Sequence, residues 1–207
     1  MIAITFLIAQ SGFTNVKDSV LRNPSKLLLE KTHWVKSEYG APGITLSTPN
    51  VLERQTVKVS EEMKDKAQLV AFACAGKDTP IDVFVTSSKY ASETGEDGKE
   101  KEVPIDVLES TEEVLDRFEK EGAKNIISRN EQFITPNGQE GVKTVGTAEF
   151  IINDTLTKGA YVVLGFSTPN LLQQVILIWK EDDVYADQII ERILNSIELI
   201  TLTEEQK

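Results

Sequence analysis

Apolar residues recur along this chain at two spacings, every second residue in some blocks and every three to four in others. In "GITLSTP" (43–49), Ile44, Leu46 and Thr48 fall on one side and Thr45 and Ser47 on the other, the pattern of a half-buried strand. Pro49 closes it, because proline has no N–H to give a ladder. "APG" (41–43) is a turn before it. A short helix is expected over 60–66. Two β-like runs follow at 69–75 and 81–87, joined by "GKDTP" (76–80) in the manner of a hairpin. "SETGEDGKEKE" (92–102) is polar, charged and glycine-bearing, a surface loop without the ligand spacing of an EF-hand. Ser110-Thr111-Glu112-Glu113 is a capping box, Val114, Leu115 and Phe118 share one face, and Gly122 is a left-handed stop. These signals predict a helix over 111–121.

Strands are expected at 125–135 and 140–153, with Asn137-Gly138 as the tight turn between them. Tyr161–Phe166 and Leu172–Trp179 are nearly continuous apolar runs, the candidates for central strands. "STPN" occurs twice, at 47–50 and 167–170. Proline presets φ at the second position of a turn and asparagine suits the third, so the repeat reflects turn chemistry and not duplication. Ile189, Ile190, Ile193, Leu194 and Ile197 form a helical stripe near the end. The segment 12–40 is ambiguous: Leu27, Leu28, Leu29, Trp34 and Val35 fit a strand or a short helix. The order β, ββ, α, ββββ, α predicts an α+β fold, a single antiparallel sheet with helices packed on it and a C-terminal amphipathic helix.

That order resembles the PsbP-like superfamily, which includes the extrinsic protein of the photosystem II oxygen-evolving complex, a Ran-binding nuclear-transport factor and DcrB-type bacterial relatives. "GITLSTP" resembles the family's first strand, and "STEEVLDRFEKEGAKNI" the helix leading into its central strands. "NGQEGVKTVGTAEF" resembles the strand written around a Gly-x-x-x-x-Gly spacing, here Gly141 and Gly146, and "IIERILNSIEL" the closing helix. The likeness covers roughly 40–200 and implies a binding or assembly protein with no catalytic motif. The corresponding division is an N-terminal segment 1–39, a PsbP-like domain 40–200 and a polar tail 201–207.

Composition narrows the partners. With 33 acids against 22 Lys and Arg, the formal net charge is −11, so nucleic-acid phosphate and anionic lipid are repelled. The apolar run Met1–Ala9 is too short to span a bilayer. Followed by Gln10 and Ser11, it has the look of a signal-peptide remnant, which implies a periplasmic or secreted protein. If Met1 is the true start and 1–9 a first strand, the protein is cytoplasmic.

Chemistry is sparse. The one cysteine, Cys74, sits among Leu69-Val70-Ala71-Phe72-Ala73 and Ala75 and is read as a small buried hydrophobe. The one histidine, His33, excludes a multi-histidine metal site, and no Gly-x-Ser-x-Gly elbow supplies a nucleophile for it. Gly138, Gly141 and Gly146 do not match a phosphate loop, because no Lys-Ser or Lys-Thr stands after a pair of glycines with a four-residue gap between them and no helix follows. Glu181, Asp182 and Asp183 are candidate ligands for a divalent metal, or simply acids placed before a helix N-terminus. Trp34 and Tyr39 are candidate exposed anchors for a partner. Trp179 and Tyr185 are expected to pack the last strand against the last helix. The sequence therefore reads as a non-catalytic binding or assembly domain acting on an unidentified protein partner, with no cofactor, nucleic acid or membrane span. A small-ligand or divalent-metal carrier is the alternative, and a carboxylate-based hydrolase stands last.

Overall fold

The computed structural model describes residues 23–31, 33–57, 66–75, 79–94, 100–152 and 155–200. Met1–Ala9, the expected helix over 60–66 save its last residue, the loop interior 95–99 and the tail 201–207 lie outside the described residues. The elements are α1 (Pro24–Glu30), β1 (Val35–Gly40), β2 (Gly43–Thr48), β3 (Glu53–Gln55), β4 (Ala67–Cys74), β5 (Ile81–Tyr90), β6 (Glu93–Thr94), β7 (Glu100–Lys101), α2 (Val107–Lys120), β8 (Lys124–Ile134), β9 (Glu140–Ile152), β10 (Thr155–Thr168), β11 (Leu171–Lys180), α3 (Ala186–Leu194) and β12 (Glu198–Leu199).

All strand pairings are antiparallel. The strands do not form the single sheet expected from the sequence. They form a seven-stranded sheet in the order β3-β4-β5-β11-β10-β9-β8, a three-stranded sheet β1-β2-β12 and a small β6-β7 pair. The reason lies in β2. Ile44, Leu46 and Thr48 are buried, and the first two share one core with Val83, Val85, Val162 and Leu164 of the large sheet. A strand that packs face-on against a sheet cannot also be hydrogen-bonded into it.

The large sheet is covered on both faces. On one, α3 contributes Ala186, Ile189, Ile190 and Ile193, and the three-stranded sheet contributes Tyr39, Ile44 and Leu46. On the other, Val114 and Phe118 of α2 pack on Phe84, Tyr161, Val163 and Ile176. The central strands are accordingly apolar on both sides, and Tyr161–Phe166 is buried without interruption. Two glutamines interrupt β11, and each joins it to a different layer. Gln173 Nε2 donates to the Pro42 carbonyl at 2.9 Å and Gln174 Nε2 to the Ser110 carbonyl at 3.3 Å. Burial without such partners would cost each amide on the order of 1–3 kcal/mol.

Residues 24–40 resolve into a helix and a strand built into the same body. Asn23 caps α1 by accepting from the Ser25 and Lys26 amides. Trp34 Nε1 donates to the Leu28 carbonyl at 3.2 Å, and the Arg192 guanidinium stands 4.1 Å from the centre of its ring. α2 begins one turn earlier than the capping box predicts. Asp106 is the N-cap, accepting from the Leu108 and Glu109 amides at 2.8 and 3.2 Å. Asp106 and Glu109 have the cap-to-third-position spacing as well, so the earlier of two overlapping signals wins, and the Ser110 hydroxyl donates back to the Asp106 carbonyl. Gly122 ends the helix at φ +98°. The second STPN joins β10 to β11 with Asn170 at φ +61°, while the first releases β2 towards β3.

Gly141 and Gly146 have a steric purpose. Five residues apart, they face opposite sides of β9, and on each side an aromatic ring of β10 lies across the gap. Phe166 covers Gly141 and Tyr161 covers Gly146. The Tyr161 hydroxyl reaches past Gly146 and donates to the Ile127 carbonyl of β8 at 3.2 Å. A Cβ at Gly146 would run into that carbonyl and stand 2.5 Å from the tyrosine oxygen. Gly146→Ala is therefore expected to destabilise by about 1–3 kcal/mol, since the overlap outweighs the roughly 0.4–1 kcal/mol gained from a stiffer unfolded chain. Tyr161→Phe, which only loses the hydrogen bond, should cost about 1 kcal/mol. Urea unfolding of the two variants checks both the sign and the order.

Candidate functional site

The layer over the large sheet is narrower than the sheet. α3 is nine residues long and rests on β11 and β2, whereas β8 and β9, 11 and 13 residues long, extend beyond its cover. The uncovered corner is a groove of about 670 Å³, walled by α3 on one side and β8 on the other. Its apolar lining comes from Phe133, Val145, Val162, Trp179, Ile190 and Leu194. Each is placed by simple periodicity: alternate residues of the strands, and one edge of the α3 stripe.

The rims are charged and differ from each other. Asp187 and Glu191 lie one turn apart on α3. Across the groove, Glu131 of β8 holds two cations, Lys143 Nζ at 2.8 Å and Arg129 Nε at 2.9 Å. Those hydrogen bonds, Lys143 foremost, pull the Glu131 carboxyl below the usual glutamate range. The network is exposed, so it shapes the surface more than it stabilises the fold.

Burial raises the Tyr161 phenol in the groove lining; the other ionisable groups shifted by burial lie elsewhere. On α2, burial first and the neighbouring Glu109 second push Glu113 up, with Arg117 partly offsetting them. Burial likewise raises Glu121 and lowers Arg117. This helix packs on the opposite face of the sheet from the groove. Cys74 lines a small hollow of about 40 Å³ with Leu28, Asn50 and Ile193. Burial raises its thiol, against a smaller opposing effect of Asn50.

The candidate site residues singled out from the sequence do not gather in the groove, although Trp179, expected to pack the last strand against the last helix, lines it. Tyr39 is 3% exposed; it packs on Phe72 and its hydroxyl accepts from the Leu52 amide at 3.0 Å. Its expected role as an exposed anchor is thus corrected: alternation along β1 turns it inward. Trp34 is half-buried under Arg192. His33 is exposed. Glu181 and Asp182 are exposed in the turn after β11. Asp183 is engaged on both oxygens, one by the Ser25 hydroxyl and the other by the Tyr185 amide. Among the described residues no three His, Cys, Asp or Glu side chains come together to hold a metal ion. Among them, too, no helix is long and apolar enough to cross a membrane. Arg129, Glu131, Lys143, Asp187 and Glu191 were not singled out by the sequence. The signal was there in β8, where Ile127, Arg129, Glu131 and Phe133 share one face at two-residue spacing.

No family model matches the sequence, and no curated protein matches it. Among solved structures, the chain is similar to the solution structure of cyanobacterial PsbP (CyanoP) from Synechocystis sp. PCC 6803. The TM-score is 0.45 and the identity 11%, over 81% of this chain and 92% of that chain.

Glu113 gives a test of the electrostatics. Its folded pKa is raised, so its contribution to stability is complete below the unfolded pKa and lost as pH rises through the folded one. Glu113→Gln should therefore raise Tm at neutral pH, and the gain should shrink to nothing as pH falls below the glutamate range. Thermal melts across a pH series read this directly.

Proposed function

We propose that the protein is a non-catalytic binding module whose groove takes an apolar-anchored, basic segment of a partner protein. The observation that carries this is the contrast between the groove's lining and its rims. Trp179, Val145 and Leu194 offer apolar surface in an open trough, which suits side chains projecting from a continuous segment. The α3 rim offers Asp187 and Glu191, while the cations opposite are already held by Glu131. A basic segment thus meets unspent negative charge at the rim and is drawn by the net charge of −11. A small-molecule carrier would enclose its ligand more fully than an open trough does. Export is a separate proposal, supported by the apolar run Met1–Ala9 with Gln10 and Ser11 after it; fractionation of the tagged chain in its host tests it.

Selection of displayed random peptides on the full-length protein tests the groove. The enriched peptides are expected to join Lys or Arg to two or more large apolar residues and to weaken as salt rises. The pair Asp187→Lys and Glu191→Lys should reduce their affinity at least about tenfold, and Trp179→Ala by a similar factor. Peptides that are acidic, or that bind these variants as well as the parent protein, would sink the idea.

A further inference from the structure

The outer side of β8 is the long open edge of the large sheet. Among the described residues β8 pairs with β9 alone, while the opposite edge, β3, has only three residues. β8 is well exposed: Ile127 is 68% and Ile134 58% accessible. Such an edge usually carries charges that oppose a further strand. The charges here do the opposite for one particular strand, namely another β8.

The residues of β8 are arranged symmetrically about Asn130. Arg129 and Glu131 flank it, then Ser128 and Gln132, then Ile127 and Phe133. Turning a second β8 antiparallel, with the two Asn130 residues opposite each other, sets residue i against residue 260 − i. Arg129 then meets the second copy's Glu131, Ile127 its Phe133 and Ser128 its Gln132, and each pair occurs twice. Because the period of a strand is two, all of these pairs keep to their own face. Ile127, Arg129, Glu131 and Phe133 line the groove, so the grooves of the two copies would meet across the axis. The neighbouring registers that preserve the faces are worse. Centring on residue 129 opposes two arginines, and centring on residue 131 opposes two glutamates. The ladder has a natural end as well: the bulge between Lys124 and Ile127, with Asn125 at φ +52°, stops regular pairing just beyond Ile127.

We propose that β8 pairs with β8 of a second copy of this chain, antiparallel about Asn130, joining two seven-stranded sheets into one continuous sheet across a two-fold axis. The occupant is a second copy because the charge order is self-complementary in one register only. Repulsion between two chains of −11 is screened beyond about 8 Å at physiological salt, whereas the central pairs lie within direct contact. This pairing uses the backbone edge and does not depend on what the groove binds.

Sedimentation velocity on the full-length chain at physiological salt, over a micromolar dilution series, should show a species of twice the 23.0 kDa chain mass. Arg129→Glu and Glu131→Arg should each weaken dimerisation at least about tenfold, because each sets like charges opposite one another twice. Their combination reverses both charges, restores complementarity and should restore the dimer. Thermal melts of the same variants show that the protomer stays folded, the exposed ion pairs contributing little to it. In a Cys74→Ser background, Asn130→Cys should oxidise to a covalent dimer far faster than Gln132→Cys, which the register places well away from its own symmetry mate. A monomer at every concentration overturns the pairing. So does a dimer indifferent to the single charge reversals, or one that the double reversal fails to restore. Equal cross-linking at residues 130 and 132 excludes the register and overturns it too.

Discussion

The rest of the structure follows from the need to bury β10 and β11 on both faces. Six consecutive residues of β10, Tyr161–Phe166, and seven of β11, Leu171–Leu177, are shielded from water. A fully buried large apolar side chain is worth roughly 1.5–3 kcal/mol, so leaving either face of this pair wet would cost more than a domain's usual margin of stability. Two covers are therefore required. α2 supplies one, with Val114 and Phe118. The other is assembled from the short α3, the β1-β2-β12 sheet and α1, and it extends only as far as their combined width. The bare corner over β8 and β9 is a consequence of that limit. The groove is the part of a covered sheet that its cover does not reach.

Much of the fold was legible because periodicity and turn chemistry are local. The apolar runs at 161–166 and 172–179 mark the central pair, the Asn137-Gly138 turn joins the expected strands, and the stripe of Ile189, Ile190 and Ile193 faces the core. The partition into sheets was not legible. Ile44 and Leu46 read the same whether β2 is hydrogen-bonded to the large sheet or laid across it, because alternation records that one face is buried and not what buries it. The start of α2 was misread where Asp106 and Ser110 both have the chemistry of a cap. Only the surrounding chain chooses between them.

The candidate site was less legible for a different reason. Sequence reasoning favours rare residues, and here it settled on Trp34, Tyr39 and the acids at 181–183. Three of those residues are occupied with structure: Trp34 under Arg192, Tyr39 in the core, and Asp183 holding Ser25 and the start of α3. The groove is lined by common residues from separate elements, Lys143 and Val145 of β9 against Asp187 and Leu194 of α3. Their proximity is a tertiary fact. Only β8 carries its own notice, a face with charges at its middle and apolar residues at its ends.

The two walls are held by unrelated sets of contacts, and this fixes the width of the trough. The strand wall is tied down by the Tyr161 hydroxyl on the Ile127 carbonyl, a bond that requires the absence of a side chain at Gly146. The helix wall is tied by Ser196, whose hydroxyl accepts from the Ser47 amide of β2 at 2.8 Å and donates to the Ile193 carbonyl at 2.7 Å. Gln173 and Gln174 then lock the layers to β11 from opposite faces. A segment entering the groove would find its apolar lining and acidic rim already in place, so little of the contact energy would be spent on ordering the receptor. The glycines, glutamines and serines that look least like functional residues are those that set the geometry in which ordinary valines, leucines and acids can act as a site.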